Sequence, residues 1–180
     1  MTRLFFLLAM AAAATAAAQE PPPAVSVREA SGAYVVEARF HVAATAGVIR
    51  DVLTDYAGIP RFMPDVRSSV VRRRTGSSVI VEQEATSSFL MFSKRVHLVL
   101  DVVEGERVIT FRDVCGRSFD RYEGAWTLEP GGDGATVTYT LTADPSFKVP
   151  GSVLRRLLER GARETIGQLR AEAARRTALD

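Results

Sequence analysis

The chain has a single cysteine, Cys115, and only two histidines, His41 and His97, in 180 residues. One cysteine closes no internal disulfide, so the fold must rest on its packed core alone. One cysteine and two separated histidines make no ligand cluster, and no metal site is expected. Strand alternation sets His41 with Glu37 and Arg39, and His97 with Arg95 and Asp101, on polar faces. With no histidine pointing inward, neither a Ser–His nor a Cys–His pair can assemble in an interior. The segment Gly116-Arg117-Ser118-Phe119-Asp120 begins like a nucleophile elbow and fails at its last position. No glycine-rich phosphate loop follows a strand, and no cofactor is implied.

Charge of one sign is missing too. Lysine and arginine number 23 against 21 aspartates and glutamates, a net charge of +2. That mild, mixed balance does not point to nucleic acid. No apolar run reaches the roughly 20 residues that cross a bilayer. The longest, Leu4 to Ala14, follows Arg3 and precedes Ala16-Ala17-Ala18, Gln19 and then Pro21-Pro22-Pro23. A basic start, a short apolar stretch and a small-x-small site read as a secretory signal peptide over residues 1–18, cut after Ala18. The mature protein is therefore expected in the periplasm or outside the cell. No cysteine lies near the cut, which excludes a lipid-modified terminus.

The remaining length suits one domain. Residues 19–32 read as an extended, poorly ordered lead-in, and residues 33–176 as the domain. The clearest helical period runs from Pro150 to Arg176. Leu154, Leu158, Ala162, Thr165, Ile166, Leu169 and Ala173 share one face, and Arg156, Arg160, Arg163 and Arg170 the other. Ser152 is a candidate cap for a free amide at its start. Tyr34 to Val42 alternates as a strand. Thr45 then caps a short helix carrying Val48, Ile49, Val52 and Leu53, and Gly58 and Pro60 impose a break. From Val66 the chain becomes a meander, closing with Thr136, Thr138, Thr140 and Thr142 alternating against Val137, Tyr139, Leu141 and Ala143. The order predicts an α+β fold: a curved antiparallel sheet of about seven strands around one long C-terminal helix, with two short helices after the first strand.

That order, with Asp55-Tyr56-Ala57-Gly58-Ile59-Pro60-Arg61-Phe62-Met63-Pro64-Asp65-Val66 and the strand Tyr122-Glu123-Gly124-Ala125-Trp126-Thr127-Leu128, resembles the START/polyketide cyclase superfamily. The nearest subgroup is the coenzyme Q-binding START-domain family, close to the bacterial cyclase/dehydrase proteins. The resemblance covers roughly residues 33 to 175. It implies a helix-grip fold with an apolar cavity between sheet and helix. It says little of function, because this fold hosts carriers, cyclases and interaction modules.

Candidate site residues follow from alternation. Gln83 and Asp113 fall on the inward face among Val79, Val81, Ile109 and Phe111. Buried polar groups need partners, which Tyr122, Tyr139 or each other could supply, unless a bulge turns them outward. The candidate ligand-binding set is Gln83, Phe111, Asp113, Tyr122, Trp126 and Tyr139 on the sheet, with Leu154, Leu158, Gly161 and Thr165 on the helix. Gly161 stands out, since a glycine in mid-helix costs about 1 kcal/mol relative to alanine. Phe62, Met63, Phe89, Leu90, Met91, Phe92 and Phe147 read as an apolar cavity rim that touches a membrane transiently; a continuous strand through Phe89–Phe92 is the alternative. The arginines of the last helix and Arg72-Arg73-Arg74 invite an anionic partner. Yet Arg155–Glu159, Glu159–Arg163 and Arg160–Glu164 are spaced as ion pairs on a solvated face. The expectation is a monomeric, exported carrier for a small hydrophobic ligand, lipid or isoprenoid quinone-like. The alternatives are a cyclase/dehydratase-like enzyme using Asp113 and cavity tyrosines, or a protein-interaction module.

Overall fold

A computed structural model describes residues 22–89 and 92–179, without the side chains of residues 87–94. The predicted signal peptide, Leu90 and Met91 lie outside the described residues. Eight strands form one antiparallel sheet: β1 (Ala24–Ala30), β2 (Ala33–Val42), β3 (Val66–Thr75), β4 (Ser78–Phe89), β5 (Phe92–Glu104), β6 (Val108–Asp113), β7 (Phe119–Gly131) and β8 (Gly134–Pro145). Their order across the sheet is β1-β2-β8-β7-β6-β5-β4-β3. Helices α1 (Ala46–Thr54) and α2 (Ile59–Phe62) follow β2, separated by a 3-10 turn, and α3 (Gly151–Thr177) ends the fold. Among the described residues no helix is long and apolar enough to cross a membrane.

Alternation dictates the layers. On β2 and β8, Val36, Ala38, Phe40, Val42, Val137, Tyr139, Leu141 and Ala143 are buried, while the intervening Thr136, Thr138, Thr140 and Thr142 are half-exposed. α3 covers the buried face. Its Ile166, Leu169 and Ala173 are fully buried, and burying each large apolar side chain contributes about 1.5–3 kcal/mol. Thr45 caps α1 as expected, its Oγ1 accepting from the Val48 amide at 3.2 Å.

Four expectations need correcting. Residues 24–30, expected as poorly ordered lead-in, are the edge strand β1, because Val25 and Val27 alternate and pack against the core. Ser152 does not cap α3: Pro150 occupies the cap position without a side-chain bond, and Ser152 already lies within the helix. Of the three ion pairs expected on α3, Glu159–Arg163 and Arg160–Glu164 form at 2.9 and 2.6 Å. Arg170 is not on a solvated face; it is half-buried, its guanidinium 5.4 Å from the Phe40 ring and its Nε donating to the His41 carbonyl at 3.0 Å.

The two halves of α3 are held differently. Near its C-terminus, Arg176 donates to Asp55 Oδ2 at 2.7 Å and to Glu172 Oε1 at 2.8 Å, while Arg175 clamps both oxygens of Glu172. Asp55 also accepts the Gly58 amide and Arg61. The C-terminal end is thus locked to the segment after α1. The N-terminal half instead forms one wall of a cavity.

Candidate functional site: an apolar cavity with neutral polar groups

A cavity of about 660 Å³ lies between the sheet and the N-terminal half of α3, within the range of small-molecule sites. Leu98, Leu100 and Val102 of β5, Ile109 and Phe111 of β6 and Leu141 of β8 form the apolar sheet wall. Leu154, Leu157, Leu158, Gly161, Ala162 and Thr165 form the helix wall. Gly161 adjoins that space: a Cβ there would meet nothing within 4 Å. Among the described residues, Asp65 and Lys148 are the charged residues of the lining, and both are solvent-exposed, so they mark the opening. Half-buried Phe62, Met63 and Phe147 stand with them.

Aromatic side chains shape the interior. Trp126 on β7 lies directly across from Tyr139 on β8, and their rings stack with centroids 4.1 Å apart. Tyr122 packs against Phe119 at 4.8 Å and Phe111 at 5.9 Å. Gly124, between Tyr122 and Trp126, leaves room for Phe111; a Cβ would sit 2.7 Å from that ring and 2.1 Å from the Thr140 carbonyl oxygen. Burial, with the charge of Asp113 adding to it, pushes the Tyr122 hydroxyl up to about 12. Burial likewise holds the Tyr139 hydroxyl well above the ordinary phenol value. Both are O–H donors at neutral pH.

The structure thus brings Gln83, Phe111, Tyr122, Trp126, Tyr139, Leu154, Leu158, Gly161 and Thr165 to one cavity. Gln83 finds its partner in neither tyrosine nor Asp113: its Nε2 donates to the Oγ of buried Ser69 on β3 at 3.1 Å. Asp113 does not line the cavity. It is the last residue of β6, and its carboxylate accepts the amides of Val99 at 2.9 Å, Cys115 at 3.3 Å and Gly116 at 3.0 Å. Alternation stops where the strand does, and an aspartate at that point serves the turn. Phe89 and Phe92 are the last pair of the β4–β5 ladder. Their side chains, like Leu90 and Met91, are not among those described.

Sequence reasoning missed Tyr56. This wall residue donates its hydroxyl to Glu104 Oε1 at 2.9 Å, and Arg74 donates to Glu104 Oε2 at 2.8 Å. Burial opposes the charge on Glu104, but the bonds from Arg74 and Tyr56 outweigh it and hold its carboxyl below the usual range. Both histidines stand off the cavity: His97 lies 3.5 Å from Glu82 and 3.9 Å from Glu84, and His41 lies 3.3 Å from Asp133.

An antiparallel sheet gripping one long helix over an apolar chamber defines a helix-grip, START-type domain. The family model for polyketide cyclase / dehydrase and lipid transport matches residues 34–174, and the chain belongs to that family. Solved structures agree on the fold. A START superfamily protein from Mycobacterium smegmatis is 17% identical with a TM-score of 0.69, covering 78% of this chain and 97% of its own. The Zhui aromatase/cyclase from Streptomyces is 18% identical with a TM-score of 0.69, covering 79% and 94%. A STAR-related lipid transfer protein from Xanthomonas axonopodis is 20% identical with a TM-score of 0.63, covering 86% and 99%. A comparison with curated proteins finds no match.

Proposed function

We propose that this protein is an exported carrier that holds a small hydrophobic ligand, lipid or isoprenoid quinone-like, between its sheet and α3. The observation that carries this reading is the cavity itself, about 660 Å³ of space lined mainly by apolar side chains. Each CH₂ of a ligand buried there contributes about 0.8 kcal/mol, so a chain or ring system binds with few polar contacts. Among the described residues, the cavity interior offers hydroxyls, an indole and a carboxamide, and the lining's only carboxylate, Asp65, is exposed at the opening. Such a lining suits holding a molecule better than abstracting a proton from one. The coenzyme Q-binding subgroup is the closest expectation for ligand type. Export rests on residues 1–18, and the apolar residues around the opening are the surface for transient membrane contact during exchange.

Native mass spectrometry of protein purified without detergent tests this directly. A co-purifying apolar molecule released by organic solvent is the expected result, and repeated isolation of empty protein, which also fails to take up added lipid, sinks the carrier reading. A mature mass beginning at Gln19 in the exported fraction tests the leader.

A further inference from the structure

The wall carries more hydrogen-bonding capacity than the protein itself uses. Tyr139 and Trp126 are more than nine-tenths buried and face the cavity. Among the described residues, neither the Tyr139 hydroxyl nor the Trp126 indole N–H has a hydrogen-bond partner, and the half-buried Tyr122 hydroxyl has none either. Gln83 spends its Nε2 on Ser69 and keeps its other amide atom unpaired. These donors open onto the cavity, so they are satisfied only by what occupies it. Water can accept from them, and a ligand oxygen can replace that water.

The signs of the charges narrow that ligand further. Tyr122, Tyr139 and Trp126 are neutral, and burial keeps both phenols protonated. Among the described residues the lining's only cation is Lys148, exposed at the opening, and Asp65 with the opposite charge also lines the cavity. An anionic head drawn inside would shed its water with no cation among the described interior residues to meet it. An uncharged carbonyl or ester oxygen would meet two phenols and an indole at little desolvation cost. We infer that, if the cavity is a carrier site, its ligand bears an uncharged hydrogen-bond acceptor that is buried against Tyr122, Trp126 and Tyr139. Free carboxylates are disfavoured there.

Trp126 is the only tryptophan of the chain and part of the wall, so its fluorescence reports occupancy directly. The test is a titration with methyl laurate, dodecane and laurate, in the full mature protein and in its Lys148→Gln variant, which lacks the cation at the opening. Methyl laurate should bind at least about tenfold tighter than dodecane. Tyr122→Phe and Tyr139→Phe should each weaken methyl laurate binding about three- to tenfold, the range of one hydrogen bond, with no matching loss for dodecane. In Lys148→Gln, laurate should bind more weakly than its ester. Equal binding of ester and alkane, an ester preference untouched by either phenylalanine, or tighter laurate in Lys148→Gln overturns this inference and leaves the carrier reading standing. Failure of all the probes, dodecane included, overturns both.

Discussion

Tyr56 and Glu104 meet through a 2.9 Å hydrogen bond that joins the turn after α1 to the end of β5. The Glu104 side chain is 8% exposed, and its second oxygen is taken by Arg74 from β3. One wall of the cavity is therefore fixed to two distant strands through a single carboxylate. Tyr56→Phe keeps the ring and leaves that buried oxygen unpaired. It should destabilise the fold by about 1.5–3 kcal/mol, read as a lower urea midpoint with unchanged slope.

Glu172 predicts an acid-sensitive contact. Hydrogen bonds from Arg175, then from Arg176, depress its carboxyl to about 2. A group whose folded value is depressed contributes stability above its unfolded value and loses it as pH falls toward the folded one. The contribution is thus complete above about 4.5 and lost between there and about 2. Glu172→Gln should cost on the order of 2 kcal/mol at neutral pH, and the gap to the parent should close across that acid window. Thermal melts of both proteins over the pH series check it.

Gly161→Leu separates space from stability. Nothing stands within 4 Å of a Cβ there, and replacing a mid-helix glycine gains about 1 kcal/mol of helix propensity. The melting temperature should hold or rise. Methyl laurate binding, followed by Trp126 fluorescence, should fall at least about tenfold because the side chain fills the cavity.

Gly124→Ala has the opposite signature. Its Cβ would lie 2.1 Å from the Thr140 carbonyl oxygen, which belongs to the β7–β8 ladder and cannot move aside. A loss of about 3 kcal/mol or more is expected, visible in calorimetry.

Asp113→Ala removes an acceptor for three amides and should cost about 1–3 kcal/mol. Because Asp113 stands outside the cavity lining, ligand affinity should stay within about twofold once the comparison is made well below the melting temperature. Loss of binding in a folded variant would return Asp113 to the site.

The site was legible wherever a strand stayed regular. Tyr122, Trp126 and Tyr139 sit well inside long strands, so their period of two places them inward without knowledge of the pairing. Asp113 fails because it closes β6, and sequence period carries no mark of where a ladder ends. Ser69 and Glu104 escaped notice for another reason. Which residue faces Gln83 or Tyr56 depends on cross-strand register and helix docking, and neither is written in local sequence. The signal for β1 was present in Val25 and Val27, but the prolines before it argued for a loose lead-in. Gly161 was legible through its cost: a helix that tolerates a glycine on its apolar face has a reason to leave that place empty.

The arginines of β3 take on a meaning beyond their ion pairs. β3 closes one side of the sheet, so among the described residues one row of its backbone donors and acceptors has no neighbouring strand. Arg67, Arg72, Arg73 and Arg74 crowd that strand with like charge, and two irregularities in its register, at Val66/Ser68 and Val71/Arg73, bend it. Charge and bulges are the devices that stop one sheet from adding a strand of another. Exposed Val70 and Val71 lie on the same strand. An edge that is charged and bulged in this way is a poor template for a strand of another copy.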